Sequence, residues 1–403
     1  MRTGLSIICA VLTLIPSCKV AKGGAAGNSG AEGSSTADIT VTSSNPEDFA
    51  INSYNILYGR QQEIGNMAYS PLSLSLALAA LSQGACGDTY SQIASCIGFS
   101  GCTADSIGNY YRTLSAELMS ADGNVIMESA NSVWADKSLN VRESFSKALD
   151  GYFEAEAASV DMNDPGTADI INGWIERKTH GKIVKMISDT RNVLMALVNA
   201  LYFKSAWTSP FVETNQEAFF TDINGNRVPV SQITSRGYFR KAENKLYRMA
   251  EVPFGHGRFV MDFIVPTKDS GKNIRNFDSA AWNGLLNSLE GDNLAIYMPE
   301  FKVEYGAKLN DLLVDMGMTD AFGASADFKG ISDERLLVSS VLQKSYVDVN
   351  KDGVEAAAAT VITLSKMSMR EPDYHDFVID SPFIFIIRDS VTGTILFIGN
   401  KVL

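Results

Sequence analysis

His180, His256 and His375 are the only histidines in the 403 residues. A His-based metal site would need nearly all of them, and a Ser-His-Asp site would need one. Local context favours neither. His180 sits between Lys178-Thr179 and Gly181, the composition of a helix C-terminus, where a cationic ring suits the dipole. His256 lies between Gly255 and Gly257 in a turn, and His375 lies among charges ahead of the last strands. Spacing alone does not exclude a triad, since triads assemble in space. However, there is no G-x-S-x-G elbow, H-E-x-x-H or Walker loop to support one. Asp348-Val349-Asn350-Lys351-Asp352-Gly353 matches the first half of a calcium loop. That loop needs a bidentate carboxylate at its twelfth position, where this chain has Ala359, with Glu355 at the eighth. The segment reads better as a strand ending in a turn. No metal, cofactor or enzymatic activity is expected.

Charge narrows the partners. Lys and Arg number 34 against 46 Asp and Glu, a net charge of −12, and nucleic acid would need a basic footprint. Hydrophobic residues make up 45% and charged residues 20%, enough apolar side chain for a sizeable core.

The first 18 residues, MRTGLSIICAVLTLIPSC, combine Arg2, an apolar run from Leu5 to Ile15, and Ile15-Pro16-Ser17-Cys18. A small residue followed by Cys resembles a bacterial lipoprotein cleavage site. This implies removal of residues 1–17 and acylation of Cys18; the alternative is an ordinary cleaved signal, or a chance Cys. Residues 18–44 are rich in Gly, Ser and Ala and read as a flexible tether. The expectation is an exported protein, lipid-anchored to a bacterial membrane on its periplasmic or outer surface. No later apolar run is long enough to span a bilayer. Cys86, Cys96 and Cys102 then remain in the body, which allows one disulfide or three free thiols.

Any site must be carried by the elements between 45 and 403. Asn45-Pro46 caps a first helix, and Ser70-Pro71 opens a second, SPLSLSLALAALSQGA, apolar almost all round and therefore buried. Two shorter helices follow in 88–120, then a strand at Val125–Ala135 and helices at 143–151 and 166–181. NVLMALVNALYF, residues 192–203, reads as a strand buried on both faces. Short strands fill 217–265, with a hairpin turn at Asn224-Gly225. Two helices in 272–290 lead to a strand near 293–305, and strands at 337–350 and 383–402 complete the chain, the last turning at Thr392-Gly393. Helices dominate the first half and strands the second, so the fold class is α+β.

Gly353-Val354-Glu355-Ala356-Ala357-Ala358-Ala359-Thr360 continues into Val361-Ile362-Thr363-Leu364-Ser365. Its alanines favour helix, its β-branched residues strand. With period two, Val354, Ala356, Ala358, Thr360, Ile362 and Leu364 share one face, and the other face is more polar. Periodicity leaves a slender strand and a surface helix with loop equally open.

From about residue 45 onward the chain closely resembles a serpin. The segment Phe377-Val378-Ile379-Asp380-Ser381-Pro382-Phe383 and the residues to Ile387 match the family signature, and Thr392 to Gly399 match its last hairpin. Ser70-Pro71-Leu72-Ser73 resembles the start of the buried second helix. Val198-Asn199-Ala200-Leu201-Tyr202-Phe203 with Trp207 resembles a central strand, and Gly353 to Thr360 a loop hinge. The resemblance implies three sheets with about eight or nine helices and an exposed reactive loop at about 353–376. It implies a suicide-substrate inhibitor of serine proteases, acting as a monomer. The loop is cleaved by the protease and inserts into the main sheet before the acyl-enzyme hydrolyses. Counting along the hinge puts the reactive bond at Met367-Ser368, pointing to elastase-like or subtilisin-like targets; a shift of one residue would give Lys366-Met367. Ser70, Ser73, Asn199, Trp207 and Gln343 are the implied sheet-opening region.

Three positions depart from the family pattern: Val354 stands where Thr or Ser is usual, Lys351 where Glu is frequent, and Gln343 where many members have His. Insertion should survive the first, any Glu-based salt bridge should be absent or reversed, and Gln343 should hydrogen-bond Asn199 in place of a titrating ring. The alternative function is a non-inhibitory serpin acting as a binding or structural protein; the small residues Ala356 to Ala359 argue against it.

Overall fold

The computed structural model describes residues 46–191, 193, 195–268, 274–275, 277–354 and 372–403. The signal, the tether with Cys18, and the loop residues Glu355, Ala356, Ala357, Ala358, Ala359, Thr360, Lys366, Met367 and Ser368 lie outside them.

Six helices and four strands make up the first half: α1 (Pro46–Gly59), β1 (Met67–Tyr69), α2 (Pro71–Ser82), α3 (Gly87–Cys96), α4 (Ala104–Ser120), β2 (Val125–Asp136), α5 (Glu143–Phe153), β3 (Glu156–Val160), α6 (Thr167–Lys178) and β4 (Met195–Ala206), among the described residues. Strands then take over: β5 (Val212–Glu213), β6 (Ala218–Thr221), β7 (Arg227–Val230), β8 (Gln232–Glu243), β9 (Tyr247–Pro253) and β10 (Phe259–Pro266). After α7 (Ser279–Asn287) come β11 (Glu290–Pro299), β12 (Phe301–Lys308) and α8 (Asn310–Asp315). The chain closes with β13 (Ser340–Asn350), β14 (Gly353–Val354), β15 (His375–Val378), β16 (Phe383–Asp389) and β17 (Ile395–Lys401).

Eight α-helices and three sheets, of nine, six and two strands, make a mixed α+β fold among the described residues. The six-stranded sheet runs β12-β13-β14-β4-β2-β3. Helix α2 packs against β2 and β4 of this sheet and β17 of the nine-stranded one. All twelve of its residues are buried, as its apolar circumference requires. Ser70 caps it by accepting from the Ser73 N–H at 3.2 Å, and Ser75 and Ser82 satisfy their hydroxyls on carbonyls of their own helix. A second apolar cluster, including Trp134, Trp174, Ile171 and Val198, lies where α6 packs on the sheet, with Met186 and Leu342 against it.

One expectation changes, and one is tested only in part. The single strand near 293–305 is two strands, β11 and β12, in different sheets. Pro299 has no N–H for a ladder, and the Glu300 N–H bonds Ser231 O instead. Of two helices expected in 272–290, one, α7, is described; residues 271–273 and 276 are not. The three body cysteines are free thiols, and burial pushes the Cys96 thiol up to about 12.

Candidate functional site

Strands β13 and β4 meet along a seam with two different ends. At one end they pair directly and in parallel, Ser340 to Gln343 against Ala196 to Asn199. At the other end β14 stands between them, antiparallel to both: Val354 pairs with Val349 and Ser205, and Gly353 with Asn350 and Ala206. Val354 is 1% exposed.

The wedge follows from the chain on either side of it. Strand β13 alternates strictly, with Val341, Gln343, Ser345, Val347 and Val349 buried. It ends in the turn 351–352, in which Asn350 Oδ1 accepts from the Asp352 N–H at 2.9 Å. The calcium-like motif is thus a strand end and a turn; Asp348 accepts from the Tyr346 hydroxyl and lies 3.8 Å from Lys302 Nζ. Gly353 leaves the turn at φ +148°, and a Cβ there would stand 2.1 Å from Ser205 O. Only glycine fits, so the chain can pass between two backbones.

Trp207 holds the turn from the end of β4. Its ring stacks on Phe254 with centroids 4.5 Å apart, its Nε1 donates to Asn350 O at 2.9 Å, and its backbone N–H donates to Asp352 O at 3.2 Å. The Phe211 N–H donates to Lys351 O at 3.2 Å. Lys351 pairs with Glu213 at 2.5 Å, and its N–H bonds Glu300 Oε1 at 3.1 Å. The hinge pair of this chain therefore has its cation on the turn. Hydrogen bonding to Lys351 and its charge hold Glu213 below the usual carboxylate range.

At the paired end, Gln343 lies under the sheet. Its amide Nε2 donates to Ser70 O at 2.8 Å and its Oε1 accepts from the Ser70 N–H at 3.0 Å. The Ser70 hydroxyl donates to Leu396 O at 2.8 Å. Gln343 thus ties β13 to the first turn of α2, and Ser73 is fully buried beside it. The expected contact with Asn199 concerns a side chain that is not described; its backbone pairs with Gln343 and Asn131.

Sequence reasoning named Ser70, Ser73, Asn199, Trp207, Gln343, Gly353 and Val354, and the structure places them along this seam or at the start of the helix packed against it. It missed Phe254, Glu213 and Glu300 as their partners. Glu213 and Glu300 lie 138 and 51 residues before Lys351, and no local pattern signals either pairing. The histidines are each tied to a carboxylate: His180 to Glu128 at 2.7 Å, His256 to Asp122 at 2.8 Å, and His375 to Asp292 at 2.9 Å. His375 opens β15, which pairs in parallel with β11.

A family model described as "Serpin (serine protease inhibitor)" matches residues 44–402. An uncharacterised serpin-like protein of Thermococcus kodakarensis is 33% identical over 361 residues, covering 87% of this chain and 83% of its own. Neuroserpin of Rattus norvegicus is 29% identical over 373 residues, covering 88% and 89%. Among solved structures, the thermophilic serpin tengpin in its native state superposes with a TM-score of 0.79 at 26% identity, covering 89% of this chain and 93% of that one.

Proposed function

The chain belongs to the serpin family, and on that premise we propose that it is a suicide-substrate inhibitor of serine proteases whose loop inserts along the seam between β13 and β4. Serpins are generally protease inhibitors rather than enzymes. The observation that carries the reading for this chain is the two-sided pairing of Val354.

Register supports it. Extending β14 from Val354 brings Thr360 opposite both Gln343 and Asn199, and Thr363 opposite both Ser340 and Ala196. The parallel pairs at the closed end are thus the ones a continuing strand would replace, without a slip. Facing residues on neighbouring strands share a side of the sheet. Ala356, Ala358, Thr360 and Ile362 would therefore turn inward with the buried Val347, Ser345, Gln343 and Val341. The small-residue face of the loop matches the face that must be buried.

In the proposed reaction the protease serine attacks the carbonyl of the bait residue, the peptide bond breaks, and the new amine leaves with the C-terminal fragment. The ester links the protease to the freed end of the loop. Insertion then competes with attack of water on that ester. About a dozen new backbone hydrogen bonds at about 1 kcal/mol each give on the order of 10 kcal/mol. Ordering the same residues costs a comparable amount. Burial of Ile362 and Leu364, at roughly 1.5–3 kcal/mol each, and strain released from the starting fold supply the remainder. The starting state persists as a kinetic trap.

The bait bond of this reading is Met367-Ser368, with Lys366-Met367 as the alternative. An unbranched apolar side chain suits elastase-like and subtilisin-like pockets. Incubation with elastase should give an SDS-stable complex and release a C-terminal peptide starting at Ser368. A peptide starting at Met367 selects the alternative bond, and cleavage without any complex sinks the inhibitor reading in favour of a non-inhibitory serpin. Cys18 is the acylated N-terminus in the same proposal, holding the inhibitor on a bacterial membrane. Lipid labelling unchanged in Cys18→Ala would refute that assignment.

A further inference from the structure

A cavity of about 340 Å³ opens on the six-stranded sheet at the paired end of the seam. One wall is β12 and β13, with Gly306, Lys308, Gln343 and Lys344; the other is Lys185 and Met186, from the segment joining α6 to β4. That segment is tied to α6, because Asn172 Oδ1 accepts from the Met186 and Ile187 N–H groups at 2.8 and 2.9 Å and its Nδ2 donates to Ile187 O at 2.7 Å. Two contacts cross from it to β13: Lys344 Nζ donates to Lys185 O at 3.3 Å, and Met186 and Leu342 pack against the same apolar cluster. The cavity therefore spans two parts that must separate, or slide, for a strand to enter.

Its charge is one-sided, in a chain whose net charge is −12. Three lysines line it and no carboxylate does. Glu304, just outside, pairs with Lys344 at 2.5 Å. Asp311, in the neighbouring cavity that Lys308 also borders, is 3.4 Å from Arg60. Among the described residues, Lys185 and Lys308 have no carboxylate partner. An ammonium is a compact charge that binds phosphoryl oxygens without demanding a fixed plane, and the volume exceeds what one hydrated monovalent ion needs.

We propose that this cavity binds a multivalent anion of the oligophosphate class, bridging Lys185 on the α6 side to Lys308 and Lys344 on the β12–β13 side. The bound anion clamps the closed end of the seam. It stabilises the loop-out form and slows opening of the Ser340–Gln343 pairing. As regulation, this rests on the insertion mechanism proposed above; as a binding site, it does not.

The test uses the whole folded chain, with tripolyphosphate as the probe and chloride at equal ionic strength as the reference, so that general screening cancels. Tripolyphosphate should raise the unfolding midpoint by about 3 °C and slow amide exchange of the peptide spanning 338–346 by about tenfold. Inorganic phosphate should do less. Lys185→Gln with Lys308→Gln should abolish both effects, while Lys147→Gln on α5 should keep them. Both exposed lysines tolerate the change, and the midpoint without anion checks that the double variant is folded. An equal response in the double variant, or none in the wild type, overturns the site; a midpoint shift without slower exchange overturns the clamp. Neither readout needs a protease, so absence of an SDS-stable elastase complex would count against the inhibitor reading alone.

Discussion

The two ends of the β13–β4 seam are held by different chemistry. At the open end the filler is apolar and backbone-paired on both sides: Gly353 and Val354 lie between two strands, and Trp207 fixes the turn that delivers them. At the closed end the strands meet directly, and a buried amide, Gln343, fastens one of them to the Ser70 backbone of α2. A hydrogen-bonded amide strongly resists losing its partner and weakly resists exchanging it. On the proposed insertion mechanism the difference gives the seam a direction: a strand would enter where packing is extended, and would advance only where polar bonds are replaced.

The largest expected effect comes from breaking the open end. Val354→Arg would force a charge into a position that is 1% exposed, at about 3–5 kcal/mol. It should be cleaved at the wild-type bond yet release active elastase with little covalent complex, and it should not gain heat stability after cleavage. Val354→Thr keeps the shape and should trap elastase about as well as wild type. Trapping by Val354→Arg at wild-type stoichiometry would falsify insertion through this seam.

Gly353→Ala tests the same end through the backbone. At φ +148°, with a Cβ 2.1 Å from Ser205 O, it should cost about 2 kcal/mol or more and expel β14. Fast amide exchange at Val354 in the uncleaved protein would register the loss; unchanged protection would mean the close approach is relieved locally.

At the closed end, Gln343→Ala leaves the Ser70 N–H without its partner. The Ser70 carbonyl keeps its bond from the Leu74 N–H. A loss of about 2–3 kcal/mol is expected, together with faster decay of inhibitory activity during incubation without protease. A variant as durable as wild type would show that Gln343 does not govern opening.

The smallest effect belongs to the exposed Lys351–Glu213 pair. Glu213 is held below its ordinary value of 4.5 by Lys351, so its contribution is present above that value and is lost as pH falls through the depressed one. Lys351 is raised from 10.5 by Glu213, so its contribution is present below 10.5 and fades as pH climbs through the raised value. Lys351→Met should lower the unfolding midpoint by no more than about 1–2 °C at neutral pH and low salt. That difference should vanish in strong acid; a difference that persists there would assign the effect to packing.

Much of this was legible from residue types. The apolar circumference of α2, the strict alternation of β13, the turns at Gly225 and Gly393 with their positive φ, and the order of the separate serpin motifs are local or linear properties. What failed locally failed for a stated reason. The strand expected near 293–305 divides at Pro299 because its two halves join different sheets, and sheet membership is set by partners far away in the chain. The helix-or-strand ambiguity after Gly353 had the same origin: alanine and threonine are compatible with both, and only a neighbouring strand decides between them.

The sequence by itself determined the α+β class, the buried second helix and the small-residue face after Gly353, because each is written in periodicity and composition; it determined the family because several separate motifs resemble those of serpins and stand in the same order. Tertiary structure alone decided that Gly353 must pass within reach of Ser205, that Lys351 meets Glu213, and that Gln343 bonds Ser70. Gln343 and Ser70 are separated by 273 residues. A buried amide bonds whichever backbone group the packing of sheet on helix brings to it, and that geometry exists only once the chain has folded.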